Sequence, residues 1–265
     1  RLPDAPAAEP TPTDSRGLLR AMLFADTAEI PPDADPNWST PNGTTLLMAA
    51  APNPEKVAQL LRKGAQVAFR SPSGYDALTV AATYGGSSAT LRMLLDAGAN
   101  AEPPDGITVR HTPLMFASVS GDTDNVALLL ARGAHADPRP NATGDSPISE
   151  AITYGHAAVA RVLIEAGAKT NLVERTGINL MHWAAITNRT AVIPELAKAG
   201  VDINAVDEHG FTPLMYAATI DFGDTATLQA LLALGADRRI SNESGRTPLQ
   251  QAQRLGYARK AKALR

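Results

Sequence analysis

The apolar positions of this chain recur in a two-part unit. The first part is a glycine, a polar residue and an apolar, alanine-rich run, as in GFTPLMYAA from Gly210. The second part is an amphipathic stretch that ends in glycine, as in VALLLARGA to Ala134. The glycines that end the second part are spaced by 33 to 35 residues and are Gly64, Gly98, Gly133, Gly167, Gly200 and Gly235. A fixed period of this length predicts a stack of similar units that bury their apolar sides against one another.

Each part of the unit carries helix signals. A Thr-Pro pair such as Thr212-Pro213 places proline at the start of a helix, where its missing N–H costs little, and the threonine can accept hydrogen bonds from the exposed backbone donors. Pro113, Pro147 and Pro248 stand at matching positions. The glycine after the second stretch can adopt the left-handed conformation that ends a helix. Each unit is therefore predicted to fold as two helices joined by a short turn.

The period and these motifs resemble the ankyrin repeat, whose unit is about 33 residues long. The resemblance covers residues 14–265 almost completely and implies an all-α ankyrin-repeat solenoid of stacked helix-turn-helix units with hairpin-like loops. Gly17 to Ile30 resembles a second helix and its loop without a clear first helix. We expect a Pro/Ala-rich linker, a degenerate N-terminal half repeat, six units and a polar C-terminal cap over residues 1–13, 14–38, 39–240 and 241–265, respectively.

The amino-acid composition indicates the kind of core and argues against several functions, including nucleic-acid binding and membrane insertion. Hydrophobic residues make up 44% of the chain but aromatic residues only 5%, so the core should consist mostly of Ala and Leu. The 24 basic and 27 acidic residues are spread along the chain without a basic stripe, which argues against nucleic-acid binding. The absence of cysteine excludes disulfides, thiolate nucleophiles and Cys-ligated zinc within these residues. No apolar run approaches the roughly 20 residues that cross a bilayer, so we predict no membrane insertion.

The five histidines are candidates for catalytic or metal-binding roles. His156 and His182 match positions where the ankyrin pattern commonly has histidine, and the resemblance implies structural roles for both. His111, His135 and His209 fall in loops and show no His-x-x-x-His or carboxylate spacing that would converge on zinc. No G-x-S-x-G or G-x-x-x-x-G-K motif is present. We therefore predict no enzymatic activity, no cofactor and no metal site.

The resemblance implies that loop tips before each first helix, with the exposed face of that helix, line a concave docking surface. On this basis the predicted partner-binding residues are Tyr75, Tyr84, Arg110, Phe116, Asp145, Tyr154, Arg175, Ile178, Trp183, Phe211 and Tyr216. For the loop residues Tyr75 and Phe211 we favour partner binding, because an aromatic side chain at a loop tip exposed to water contributes little to folding. Phe116, Trp183 and Tyr216 have an alternative role as half-buried residues that pack helices together. Insertions at 106–110 and 221–224 should lie on loops.

These features predict a non-catalytic scaffold that binds a protein partner or a neighbouring domain of the same chain. The alternative is a structural or docking domain of a larger exported redox protein. The segment INLMHWAAITN resembles bacterial ankyrin arrays joined to c-type cytochrome segments, although any C-x-x-C-H motif would lie outside this sequence. That resemblance implies a periplasmic or otherwise exported location rather than a cytoplasmic one.

Overall fold

The structure, a computed structural model, describes residues 15–24, 30–102, 111–137, 145–222 and 224–265. Within them, helix α1 spans Ser15–Phe24 and the other helices form seven pairs. The first helices of the pairs are α2 (Leu46–Ala50), α4 (Ala77–Ala82), α6 (Pro113–Ser120), α8 (Pro147–Tyr154), α10 (Leu180–Ile186), α12 (Pro213–Thr219) and α14 (Pro248–Arg254). The second helices are α3 (Pro54–Arg62), α5 (Ser88–Asp96), α7 (Thr123–Ala131), α9 (Ala157–Glu165), α11 (Ile193–Lys198), α13 (Ala226–Ala233) and α15 (Ala258–Ala263).

The helices stack in two rows that share one core. Each first helix packs against the first helix of the next pair and against its own second helix, and the second helices pack against one another in the same way. In the sixth pair the buried residues include Leu214 and Ala218 on α12, with Leu228 and Leu231 on α13. Small alanines on the first helices let neighbouring helices approach closely, as the composition predicted. The all-α repeat solenoid is confirmed.

The predicted helix signals act where the sequence places them. Pro213 is the first residue of α12, and the Thr212 Oγ1 accepts a hydrogen bond from the backbone N–H of Met215 at 3.2 Å. The six glycines that end the second stretches all have φ between +79° and +95°. The left-handed conformation favours glycine because a Cβ there is strained. The predicted Thr-Pro starts and glycine ends of the helices are therefore confirmed.

A tight turn precedes the first helix in most pairs, and neighbouring turns are bonded to one another. In the turn 207–211 the first residue's N–H donates to the last residue's carbonyl at 3.0 Å, and the turns 174–178 and 242–246 repeat this bond. The Glu208 N–H donates to the carbonyl oxygen of Thr176, in the preceding turn, at 2.7 Å. The turns therefore continue the stack beyond the helix ends and hold their outer side chains in register.

Helix α1 lies in the row of first helices. It packs against α2, and the Lys56 Nζ on α3 donates to the carbonyl oxygens of Ala21 at 2.9 Å and Met22 at 3.2 Å. Lys260, at the matching third position of α15, donates to the carbonyl of Ile220 just after the first helix α12. Because the two lysines reach equivalent places, the expectation that this segment is a second helix is wrong.

Some of the predicted segments lie outside the described residues. These are the linker 1–13 and the insertion 106–110, which includes Arg110. The second insertion begins with Asp221 and Phe222, between α12 and α13, where a turn was expected. No helix in the described part of the chain combines the length and the apolar character needed to cross a membrane.

Candidate interaction surface

The first helices share one outward face, which we call the first-helix face. Each helix pair with its preceding turn is one unit, numbered one to seven from α2/α3 to α14/α15. The face consists of three positions per unit: the residue before the N-cap (N′), the fourth helical residue (N4) and the eighth residue counted from the helix start (N8). The N′ residues of units two to seven are Tyr75, His111, Asp145, Ile178, Phe211 and Arg246, and the N4 residues of units two to six are Val80, Phe116, Glu150, Trp183 and Tyr216. All of these are half-buried. Two N8 residues, Tyr84 and Tyr154, are 45% and 50% exposed.

The N′ and N4 side chains of a unit lie close together, as in the hydrophobic staple of helix starts. In unit six the Phe211 and Tyr216 ring centroids are 5.4 Å apart. The Tyr216 hydroxyl donates to Asp207 Oδ2 at 2.6 Å. Burial raises the pKa of the Asp207 carboxyl, but hydrogen bonds from Tyr216 and from two backbone N–H groups outweigh it and hold the pKa below its usual value. Burial and this carboxylate raise the pKa of Tyr216, which stays protonated.

The predicted residues of unit five extend this surface. The Trp183 Nε1 donates to Glu174 Oε1 at 2.7 Å, which fixes the indole over the turn that precedes its own helix. Arg175 is exposed in the same turn, and Ile178 is half-buried at its end. Trp183 is half-buried, so part of its ring remains at the surface.

In units two and three the aromatic side chains contact one another. The Tyr75 ring meets the Phe116 ring edge-on at 5.7 Å, and the His111 ring lies 5.2 Å from Phe116. Tyr75 and Phe211 are half-buried beside N4 rings, so the expectation that they stand at tips exposed to water is wrong. Tyr75 packs on Phe116 and Phe211 packs on Tyr216.

The alternative role, packing helices together, accounts for the buried part of each N4 ring. Phe116, Trp183 and Tyr216 each pack against the buried core, yet each remains partly exposed. Their predicted role in binding a partner remains a prediction. So does the role of Tyr154, whose ring stacks on His156 at 6.4 Å.

Unit four replaces the apolar pair by two carboxylates. Asp145 is its N′ residue and Glu150 its N4 residue, and His111 Nε2 of the preceding unit lies 3.0 Å from Glu150 Oε1. One ligand atom from each of the three lies within 4.8 Å of the others. Burial raises the pKa of Glu150, the bond to His111 lowers it and the charge of Asp145 raises it, with a net increase.

The expectation that His111 has no converging carboxylates is therefore wrong. His111 lies 34 positions before Asp145 and 39 before Glu150, and only the repeat period brings it to the two carboxylates. An alignment of the unit sequences places His111 at the N′ position, because Thr112-Pro113 follows it as Thr212-Pro213 follows Phe211. In the other units a glycine precedes the N′ residue. Unit three has no glycine there, so the glycine-based pattern did not identify His111 as an N′ residue.

Two other histidines have the structural roles that the resemblance implied. His182 is buried, its Nε2 donates to the carbonyl oxygen of Phe211 at 3.0 Å, and burial lowers its pKa. The His156 Nε2 donates to the carbonyl oxygen of Val119 at 2.9 Å. Both histidines thereby tie one unit to its neighbour. His135 and His209 are exposed, as expected of loop residues.

Comparison with known proteins agrees with this architecture. The family model for ankyrin repeats matches residues 16–105, 98–174 and 168–236. The crystal structure of the human ASB11 ankyrin repeat domain superposes with a TM-score of 0.68 and 24% sequence identity, covering 83% of this chain and 98% of that one. At this identity the likeness concerns the fold alone.

Curated relatives share the repeats over part of their length. The ankyrin repeat protein nuc-2 of Neurospora crassa is 35% identical over 155 residues, which is 57% of this chain and 14% of the relative. The palmitoyltransferase Hip14 of Drosophila melanogaster is 33% identical over 126 residues, or 47% of this chain and 19% of the relative. The chain thus spans less than a fifth of either protein. The matches of the family model cover most of the sequence, and the chain belongs to the ankyrin repeat family.

Proposed function

We propose that this chain is a non-catalytic interaction module that binds a protein partner, or a neighbouring domain of the same polypeptide, on its first-helix face. Ankyrin repeats generally mediate contacts between proteins and are generally not enzymes. The finer claim, that the first-helix face is the docking surface, rests on one observation. Seven of the twelve aromatic residues of the chain lie on this face, whereas the outward positions of the second helices are mainly charged or small.

The contrast between the two rows is clear within single units. In unit four the first helix α8 ends in the half-exposed Tyr154, whereas the second helix α9 exposes Arg161 and Glu165. In unit two Tyr84 is 45% exposed, whereas α5 exposes Arg92. Charged side chains on one row keep that row solvated. Aromatic side chains on the other row carry the large contact area that interface anchors provide.

The half-buried state of the N4 rings supports an anchoring role. Trp183 and Tyr216 are already held by hydrogen bonds to Glu174 and Asp207. A side chain fixed before binding loses little conformational entropy when the partner arrives. The first-helix face therefore offers preorganised aromatic surface bordered by carboxylates, which suits an apolar segment flanked by basic residues.

A binding experiment with matched variants tests this proposal. A peptide ligand would first be selected against the whole chain from a displayed library, and its affinity would be measured by calorimetry. We expect W183A and the double variant Y84A/Y154A each to weaken binding about 30-fold, which corresponds to the loss of a hot-spot contact of about 2 kcal/mol. Tyr84 and Tyr154 are about half exposed, so their removal should leave the fold intact.

The control is L234A. Leu234 is 43% exposed and caps the second helix α13, so it matches the tyrosines in exposure but lies on the other row. We expect the ligand to bind this variant with unchanged affinity. If L234A weakens binding while the first-helix variants do not, the docking surface is on the second-helix row and the proposal is wrong.

A further inference from the structure

Unit four departs from the pattern of the first-helix face. Where unit six has the aromatic pair Phe211 and Tyr216, unit four has Asp145 and Glu150 at the same N′ and N4 positions. Two carboxylates in these adjacent positions repel each other, and the charge of Asp145 contributes to the raised pKa of Glu150. A staple position normally stabilises a helix start through apolar contact. A local rule broken in this way is expected at a functional site.

The neighbouring unit supplies the third member of the group. His111 Nε2 lies 3.0 Å from Glu150 Oε1, and its side chain is 19% exposed against 12% for Glu150. The histidine comes from the N′ position of unit three, so the group joins two units. A nitrogen donor and two carboxylate donors therefore converge on one half-buried spot of the first-helix face.

The donor atoms can be drawn onto one ion by small side-chain rotations. They lie within 4.8 Å of one another, and ligands at about 2.0–2.2 Å from a tetrahedral metal are about 3.4 Å apart. Imidazole nitrogen with carboxylate oxygen is the donor set of divalent first-row metals such as Zn²⁺, Mn²⁺ and Co²⁺. Mg²⁺ and Ca²⁺ instead prefer oxygen donors throughout.

We infer that His111, Asp145 and Glu150 form a binding site for a divalent first-row metal ion that bridges units three and four. The ion neutralises the two carboxylates and fixes the starts of α6 and α8 relative to each other. Three protein ligands leave at least one coordination position for water or for an incoming donor. This inference stands on the side-chain cluster alone and does not depend on the proposed function.

Calorimetric titration of the metal-free chain with ZnCl₂ tests the inference. We expect one bound Zn²⁺ per chain, and a loss of affinity of about 10-fold or more in each of H111A and E150Q. H111N serves as a second variant should H111A fail to fold, and circular dichroism checks both. In a parallel titration, Mg²⁺ should bind much more weakly than Zn²⁺, because imidazole is a poor ligand for it.

The matched control is H209A. His209 lies between two carboxylates, with Nε2 3.9 Å from Glu208 Oε1 and Nδ1 3.8 Å from Glu243 Oε2, but all three side chains are more than half exposed. We expect H209A to bind Zn²⁺ like the wild type. The inference is overturned if Zn²⁺ does not bind at one equivalent, if H111A leaves the affinity unchanged, or if H209A lowers it as much as H111A. Equal affinities for Mg²⁺ and Zn²⁺ would overturn it too.

Discussion

Replacing Gly177 by alanine tests whether the turns of neighbouring units support one another. Gly177 has φ of +83°, and a Cβ at this position would lie 2.9 Å from the Cα of Asp207 and 3.2 Å from the carbonyl oxygen of Val206. Both are backbone atoms of the next unit, which no side-chain rotation can move away. The substitution therefore adds a collision between turns to the strain of a left-handed alanine.

Gly245 provides a control that separates the two effects. It occupies the same place in the turn 242–246, has φ of +67°, and a Cβ there would meet no atom within 4 Å. G245A therefore carries only the backbone strain, which costs about 1–2 kcal/mol. G177A carries a similar strain and an overpacking cost of about 1–3 kcal/mol. We expect G177A to be the more destabilising variant by about 1–3 kcal/mol.

Urea unfolding followed by circular dichroism measures the difference between G177A and G245A. Hydrogen exchange of the Glu208 amide gives a local readout, because this N–H donates to the carbonyl of Thr176 across the two turns. We expect this amide to exchange faster in G177A and at the wild-type rate in G245A. Equal losses of stability, with Glu208 unaffected in both, would refute the view that the turns pack against each other.

Three further predictions concern groups that tie the units together. Because the pKa of Asp207 is lowered in the folded chain, the wild type should lose stability as the pH falls below about 4, and acid unfolding of D207N should lack this step. Burial lowers the pKa of His182, so the free energy of unfolding should also decline below about pH 6.5; an equal slope in H182Q would contradict this. Asn125 Nδ2 donates to the carbonyl of Tyr84 at 3.0 Å, so N125A should cost about 1–3 kcal/mol in urea unfolding, and an unchanged midpoint would count against it.

The repeated architecture could be predicted from the sequence because its signals are local. Thr212-Pro213 and the terminal glycine Gly235 mark a helix start and a helix end without any knowledge of the neighbours, and both act as predicted. The histidines His156 and His182 were assigned correctly through the resemblance. The spacing of such signals then determines the number and order of the units.

The details of the first-helix face depend on contacts between units, which local patterns do not contain. Whether Tyr75 stands in water or packs on Phe116 depends on the packing of one unit on the next. The approach of His111 to Glu150 has the same origin. The position of α1 in the row of first helices is likewise visible only in a contact between units, the hydrogen bond from Lys56 to the carbonyl of Ala21. Sequence patterns alone therefore predicted the scaffold well and its surface chemistry only in part.

The expected bacterial source, the fused c-type cytochrome segment and the exported location remain predictions. The two curated relatives described above come from a fungus and a fly. A longer sequence of the same gene would test all three together. A C-x-x-C-H motif or a signal peptide beyond residues 1 or 265 is the expected result of that hypothesis.

Site-specific photo-crosslinking tests the central claim, docking on the first-helix face, most directly. A photoreactive amino acid would replace either Tyr154 or Arg161, which are exposed residues on the first and second helices of the same unit. Each protein would be irradiated with the ligand selected for binding. The account predicts a crosslinked complex from position 154 and none from position 161. Crosslinking from position 161 alone, or equally from both, would contradict it.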